Sequence, residues 1–353
     1  MKIAVIGTYP PQRDGIGIYS KRYVEALQKR DQDVRVFTFK GNENGKEVEG
    51  CLRRNNVFSY IRTAFKLHAF KPEKVLIQYE YVHYNVAFFP MLLFLLWVLG
   101  HKINMFMHTV APYEKGWKAL IFRMVHLSLF LFAHHVILHT KIAKNKLLER
   151  TWVKPYISYL PIAIKDQHVK PRLSKSTAKL LSFGFISYDK GIDLLCEAVK
   201  GLQGVSLTIC GSVSPYAMKK QKIYAEKIGK ICEGRKNITY IDRFVSDQEK
   251  EDLFRSADFV VLPYRFIEQS AVLTEVWGYK KIPICSDVAA FKQELADKYG
   301  ILFSNEDSGD LRNKITALLK NKGRQKQLLS HIEMLVKKRN FEASAEKLLR
   351  LLL

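Results

Sequence analysis

Cysteine is scarce in this chain of 353 residues. There are five, an odd number, at Cys51, Cys196, Cys210, Cys232 and Cys285, mostly inside apolar stretches and with no close C-x-x-C pair. That pattern argues against a disulfide framework or a structural zinc and for reduced core thiols of a cytosolic protein. Long apolar runs are missing as well. A spanning helix needs about 20 apolar residues; the run 86–99 (VAFFPMLLFLLWVL) is shorter and contains Pro90, and 124–138 (MVHLSLFLFAHHVIL) holds three histidines and divides into a helix and a buried strand. Neither reads as a transmembrane span. The first residues, MKIAVIGTYPP, lack the apolar core and small-residue cleavage site of a signal peptide and lead directly into a fold. Acidic residues are few, 34 Asp and Glu against 57 Lys and Arg, for a formal charge of +23. So basic a chain expects an anionic partner: nucleic acid, an anionic membrane surface or a phosphorylated ligand.

What is present is a globular mixture, 48% hydrophobic and 26% charged, which excludes long-range disorder and collagen-like structure. The length favours two domains, each able to bury its own core. Charge is uneven: between Cys51 and Lys165 sixteen Lys or Arg face only four acids (Glu73, Glu80, Glu114, Glu149), so this stretch holds +12 of the +23. Apolar runs alternate with helical spacing throughout. Strands are predicted at 2–7, 33–39, 74–78, 102–107 and 135–138, with helices at 16–30, 57–70, 86–99 and near 117–131. A polar, Pro-bearing stretch at 161–179 reads as the linker. A second alternation follows, with strands from 180, at 205–210, 238–241, 258–262 and 282–285, and helices from 191, at 216–232, 247–256, 270–279 and beyond 307. The fold class is therefore α/β, two doubly wound parallel-sheet halves with ligand edges at the carboxyl ends of their strands, and two such sheets facing each other make a cleft.

Three strand-to-helix loops carry candidate chemistry. In YPPQRDGIGI (9–18), Gly15 and Gly17 let the backbone approach a phosphate or sugar and the helix start offers N–H groups to an anion. An ordinary turn reads the same way, and the third glycine of a dinucleotide fingerprint is absent. In SFGFISYDKG (182–191), Gly184 allows a turn, and Lys190 with Gly191 puts a cation at a helix start where acids are usual, which suggests a phosphate-facing lysine against a solvated one. In LPYRFIEQSAVLTEVWGYKKIPICSD (262–287), a loop bears Arg265, Glu268 and Gln269, and the small residues Ser270 and Ala271 open a helix on which a pyrophosphate can sit. Glu275, set among Val272, Leu273, Val276 and Trp277, has the reach to hydrogen-bond a ribose; solvated surface carboxylates are the alternative. His108 ends the apolar strand 103–107, where α/β sheets present ligand groups. His83, His126, His134, His135 and His139 read as structural or surface residues, and the histidines form no metal-ligand constellation.

Taken in order, YPPQRDGIGIYS, IQYEY (77–81), MHT (107–109), LPIAI (160–164), FGFISYDKG, ICGS (209–212) and ADFVVLPYRFIEQSAVLTEVWGYKKIPICSD resemble the retaining, nucleotide-sugar-dependent glycosyltransferases of family 4, the glycosyl transferases group 1, over essentially the whole chain. The last segment is specific in order and spacing. The resemblance implies the GT-B fold, two Rossmann-like domains facing a cleft: 1–165 on the acceptor side, 166–335 binding the nucleotide sugar, and 336–353, including the amphipathic FEASAEKLLRLLL, crossing back onto the first domain. It implies transfer of a hexose from a nucleoside-diphosphate sugar, with retention, without a metal and without a cofactor. Gly15 and Gly17 would face the donor phosphate and the acceptor, and His108 the transferred sugar. Lys190, helped by Gly184 and by the backbone of Ser270 and Ala271, would neutralise the pyrophosphate. Glu275 would hold the ribose, and Phe244 and Val245 would frame the base. Cations and helix ends would stabilise the departing diphosphate.

Three departures from the family pattern matter. Its two glutamates usually stand eight positions apart, whereas Glu268 and Glu275 are seven apart and Ile267 occupies the expected place, so the sugar contact falls to Glu268 with Gln269 as substitute. The Arg that commonly follows the glycine of the first C-domain loop is Phe185, leaving Lys190 and Arg265 for the phosphate charge. Asp14 precedes Gly15 where a second glycine is common.

A basic, apolar N-terminal half suits a peripheral cytoplasmic enzyme that meets a glycan or lipid-linked acceptor at an anionic membrane face. The segments 86–99 and 117–131, with Lys66, Lys71, Lys115, Lys118 and Arg123 nearby, are candidates for that face; apolar helices packed on a sheet are the other reading. Two rival functions remain, a nucleotide-sugar epimerase of the same fold and a non-catalytic basic protein bound to membrane or nucleic acid. Against a nucleic-acid partner, the basic residues lack interleaved aromatic platforms and a recognisable module.

Overall fold

The computed structural model describes the chain except residues 13, 43–44, 111–115, 117–119, 121–125, 128, 151–155, 175–176, 215–218 and 353. It divides into two compact units, Met1–Ile162 with Phe341–Leu353, and Ala163–Asn340.

In the first unit β1 (Lys2–Ile6), β2 (Asp33–Phe39), β3 (Val48–Leu52), β4 (Lys74–Tyr79), β5 (Ile103–Met107), β6 (His135–Leu138) and β7 (Tyr156–Tyr159) form one parallel sheet, ordered β3-β2-β1-β4-β5-β6-β7. Its central strands read as unbroken apolar runs because both faces are covered, and every residue of β5 is buried. Helix α1 (Gly15–Gln28) returns β1 to β2, α2 (Val57–Phe70) links β3 to β4, and α3 (Phe88–Val98) links β4 to β5. The apolar run 86–99 is thus a helix, with Phe89, Leu92, Leu93 and Leu96 turned inward. Most of the helix expected near 117–131 lies outside the described residues, together with Trp117, Lys115, Lys118 and Arg123.

The final helix, Phe341–Leu352, packs on α1. Phe341 is buried with its ring 5.5 Å from those of Tyr19 and Tyr23, and Lys29–Glu342 and Arg30–Glu346 pair at 3.2 Å along the flank.

His135 in β6 has a pH consequence. Burial, with the charge of neighbouring His134, lowers its pKa to about 4. Between that value and an unfolded pKa near 6.5, the unfolded chain holds a proton that the folded chain refuses. Stability is therefore flat above pH 7 and falls as pH drops through 6.5, by about 2 kcal/mol at pH 5. Urea titrations at pH 7 and pH 5 should show this loss, and a His135→Phe chain should lose less.

The second unit contains β8 (Ala178–Phe183), β9 (Val205–Gly211), β10 (Ile238–Asp242), β11 (Phe259–Leu262), β12 (Ile282–Ser286) and β13 (Ile301–Phe303), all parallel, in the order β10-β9-β8-β11-β12-β13. The chain starts in the middle at β8, moves out to β9 and β10, then returns to the other side at β11. Crevices for ligands open at such a reversal, beyond the carboxyl ends of the strands. Helix Ala271–Gly278 buries Leu273, Val276 and Trp277, and the Trp277 indole N–H donates to the Tyr299 carbonyl at 2.8 Å.

The polar stretch expected to be a linker is instead strapped to this unit from residue 163 onward. Ile164 N–H donates to the Arg339 carbonyl at 2.8 Å, Gln167 N–H donates to the Gly278 carbonyl at 3.2 Å, and Asp166 pairs with Lys280. Its polarity is used for backbone and ion pairing rather than for solvation. The cysteines are free thiols, four of them buried and Cys51 half-buried. No helix among the described residues is long and apolar enough to cross a membrane.

Candidate active site

The carboxyl ends of β8, β9, β10 and β11 surround a pocket of about 370 Å³. Glycine makes it possible. Gly184, after β8, has a φ of +129°, and Gly211, at the end of β9, lies so close that a Cβ there would sit 1.7 Å from the Gly184 carbonyl oxygen. Gly191, φ +62°, faces the Pro263 carbonyl at a distance no side chain could share. The two loops therefore fold against each other as bare backbone. Phe185 and Phe244 stand at the mouth, 50% and 62% exposed, with rings edge to face at 6.2 Å.

One wall belongs to Lys190, at the end of a short 3-10 turn (Tyr188–Lys190). Its ammonium lies 4.2 Å over the Tyr264 ring and 3.0 Å from the Asp189 carboxylate. Burial opposes ionisation of Asp189, but the Ser187 hydroxyl and Lys190 together hold its carboxyl below the usual range, so the ion pair is intact at neutral pH. Arg243 also lines the pocket, but its guanidinium is engaged by Glu249 at 2.5 and 3.2 Å. Ser270 and Ala271 also line the pocket, where helix Ala271–Gly278 begins. Ser270 caps that helix by accepting from Leu273 N–H at 3.2 Å.

Of the residues singled out in the sequence, Gly184, Lys190, Phe244, Val245, Gln269, Ser270 and Ala271 come together here. Cys210, Gly211, Ser212 and Tyr264 also line the pocket. The sequence signal of the first three was the ICGS segment ending a strand, which is weak because only the fold shows which strand ends are neighbours.

Three expected donor residues are elsewhere. Arg265 does not line the pocket: its guanidinium forms a bidentate pair with Asp193 at 3.0 Å, donates to Glu306 at 2.9 Å and stacks 4.0 Å from the Tyr188 ring. Those partners hold the charge as a brace between loops. Glu268 is exposed, and the lining passes through Ile267 and Gln269 on either side of it. Glu275 is half-buried one turn beyond the rim, within 3.5 Å of the Gln167 amide.

The first unit has its own cluster. His108, directly after β5, is buried with Nε2 2.8 Å from Gln78 Oε1, which fixes Nε2 as the donor. The His139 and Tyr19 rings lie 5.0 and 5.9 Å away. Burial first, then the neighbouring His139 and His83, push the His108 pKa well below its ordinary value, so the ring is neutral at pH 7. Gly7 keeps room for Gln78, because a Cβ there would come within 2.8 Å of Gln78 Cβ. Gln78 was not singled out, its one signal being a polar residue inside the apolar run KVLIQY, and His139 was read as a structural or surface residue.

The Gly15–Gly17 loop opens helix α1. Asp14 caps α1, and its Oδ1 accepts from Gly17 N–H at 2.7 Å and from the Thr8 hydroxyl at 3.2 Å. The negative charge favoured at this helix start is supplied by the chain itself. Among the described residues no group of three His, Cys, Asp or Glu side chains is placed to hold a metal ion.

No curated protein sequence matches the chain. Its whole length superposes on solved structures. Sucrose-phosphate synthase from Thermosynechococcus elongatus is 18% identical, with 99% of this chain and 98% of that one covered at a TM-score of 0.74. The Anabaena protein HepE, solved with UDP and glucose, is 13% identical, with 100% and 99% covered at 0.76. An E. coli trehalose-6-phosphate protein bound with UDP-2-fluoro glucose is 13% identical, with 100% and 99% covered at 0.74. At such identities the likeness is one of fold. The family description "Glycosyl transferases group 1" matches residues 163–333, the unit that carries the pocket. Through that unit the chain is similar to the glycosyl transferases group 1, and its two parallel-sheet units have the GT-B glycosyltransferase fold of those structures.

Proposed function

We propose that this chain moves a hexose from a nucleoside-diphosphate sugar, with retention and without a metal, to a glycan or lipid-linked acceptor in polysaccharide or glycolipid assembly. The observation that carries this reading is the pocket at the strand-order reversal of the family-matched unit, lined by both Lys190 and a helix start. A diphosphate fits between a cation and backbone N–H groups, where the charge developing on the leaving group is met without reorganisation. In this reading Lys190, Ser270 and Ala271 take the pyrophosphate, Phe244 and Val245 the base, and Glu275 the ribose. His108 and Glu268 serve the transferred sugar. The similar HepE and E. coli structures contain UDP and a UDP-sugar analogue, which makes uridine the first base to try. The basic, apolar first unit supports a cytoplasmic enzyme held peripherally at an anionic membrane face.

The test is a thermal-shift screen of the purified chain against UDP, GDP, ADP, CMP and their common sugars at low and high salt. A ligand at a hundredfold excess over its Kd stabilises by about 2.7 kcal/mol. A rise of several degrees with one nucleoside diphosphate, surviving high salt, supports the reading. No shift with any of them, alongside salt-sensitive retention on nucleic acid, overturns it.

A further inference from the structure

We propose that α2 and the basic hollow beside it form a seat for anionic phospholipid, with a headgroup phosphate in the hollow and two phenylalanines in the acyl boundary; this rests on the peripheral reading above and gives it a site. Helix α2 is amphipathic in an unusual sense. Tyr60, Thr63, Ala64 and Leu67 face the sheet, while Phe58, Arg62 and Phe65 recur at i, i+4 and i+7 along the outward face. Phe58 is 76% exposed and Phe65 56%, on a face that in a water-facing helix is polar.

Between α2 and the edge strand β3 lies a hollow of about 470 Å³. Lys40, Arg53, Arg62 and Lys66 line it with Asn56 and Phe58, and no acid is among the lining residues. Lys66 pairs with Glu49 at 2.6 Å, whereas Lys40, Arg53 and Arg62 have no ion pair among the described residues. Four cations around one hollow, with three uncompensated, match a phosphate.

Helix α3, packed beside α2, continues the apolar side. Phe94, Trp97 and Val98 are exposed, and the rings of Phe94, Trp97 and Phe132 cluster at 5.6 to 6.4 Å. Neither α2 nor α3 contains an acid. Aromatic rings at the water boundary with cations alongside, and no carboxylate to repel the surface, suit a bilayer better than a protein groove or a nucleic acid.

Flotation of the full chain with vesicles of equimolar phosphatidylglycerol and phosphatidylcholine tests this, against vesicles of phosphatidylcholine alone. The chain should float with the anionic vesicles only. Arg62→Ala should weaken partition about fivefold, and the double change Phe58→Ser with Phe65→Ser at least about tenfold. Nucleotide thermal shifts measured on the same variants should match the parent chain, which shows that they fold. Absence of flotation, or variants that float like the parent, overturns the inference; a nucleotide shift that persists meanwhile leaves the transferase reading intact. Tight binding of free glycerol phosphate, unaffected by removing the phenylalanines, overturns it too by making the hollow a site for a soluble anion. Displacement by RNA in place of lipid would do the same.

Discussion

Replacing Lys190 with alanine should weaken nucleoside-diphosphate binding by roughly a hundredfold or more while leaving the melting temperature nearly unchanged. The size follows from the pocket's charge inventory. Arg243 is committed to Glu249, and Arg265 is held outside the lining by Asp193 and Glu306. Lys190, whose own partner is the single carboxylate of Asp189 at 3.0 Å, is the other lining cation, in an apolar surround where a charge-assisted contact to a diphosphate is worth about 3 kcal/mol. Its pair with Asp189 is partly solvated and contributes little to stability. Phe185, an uncharged residue, follows Gly184 in the same loop, so the effect concentrates on one side chain. Isothermal titration with the diphosphate found in the screen, together with a melting curve, checks both halves. A binding loss below about threefold would show that the phosphate is held elsewhere.

Gly211→Ala should do the opposite, damaging fold and binding together. The new methyl would have to occupy space 1.7 Å from the Gly184 carbonyl oxygen and 2.8 Å from its carbon. Both atoms are backbone, and the same strands are locked there by Gly184 N–H donating to Cys210 at 3.1 Å and Ile186 N–H to Ser212 at 3.0 Å. Relief requires β8 and β9 to part at the pocket floor, at a cost of about 3 kcal/mol or more. For a unit of this size that is a fall in melting temperature of roughly 10 °C. Gly15→Ala is the matched control for stability, because nothing lies within 4 Å of its would-be Cβ and the residue is helical; it should be neutral or slightly stabilising. Equal melting temperatures for the two variants would contradict the close approach of the two loops.

The central strands and most helices were legible because both faces of a parallel sheet are covered and strong apolar runs result. The edge strands β3 (VEGCL) and β7 (YISY) were not, since half-exposed pairing leaves little apolar pattern. Helix Lys141–Arg150 (KIAKNKLLER) was missed for a similar reason, its polar composition hiding the period. In the site, Lys190 and the Ser270–Ala271 rim could be read from strand-loop-helix punctuation. The partners of Arg265 could not be read, because nothing local points to Asp193 and Glu306, 72 and 41 positions away. Gly211 was quoted only as part of a motif; its importance comes from a neighbour on an adjacent strand, a fact of register rather than of order.

The last helix, Phe341–Leu352, has a consequence for the order of events during synthesis. Residues 163–340 form a guest inserted into a host whose final piece is made last. Once Asn340 has cleared the ribosome the guest possesses every strand of its sheet, and the Ile164–Asn340 bridge ties its two ends side by side. The host must wait, with the aromatic seat of Tyr19 and Tyr23 uncovered, until Phe341 arrives to fill it. The unit begun second is thus the one finished first, and the nascent N-terminal half is the part that stays sticky longest.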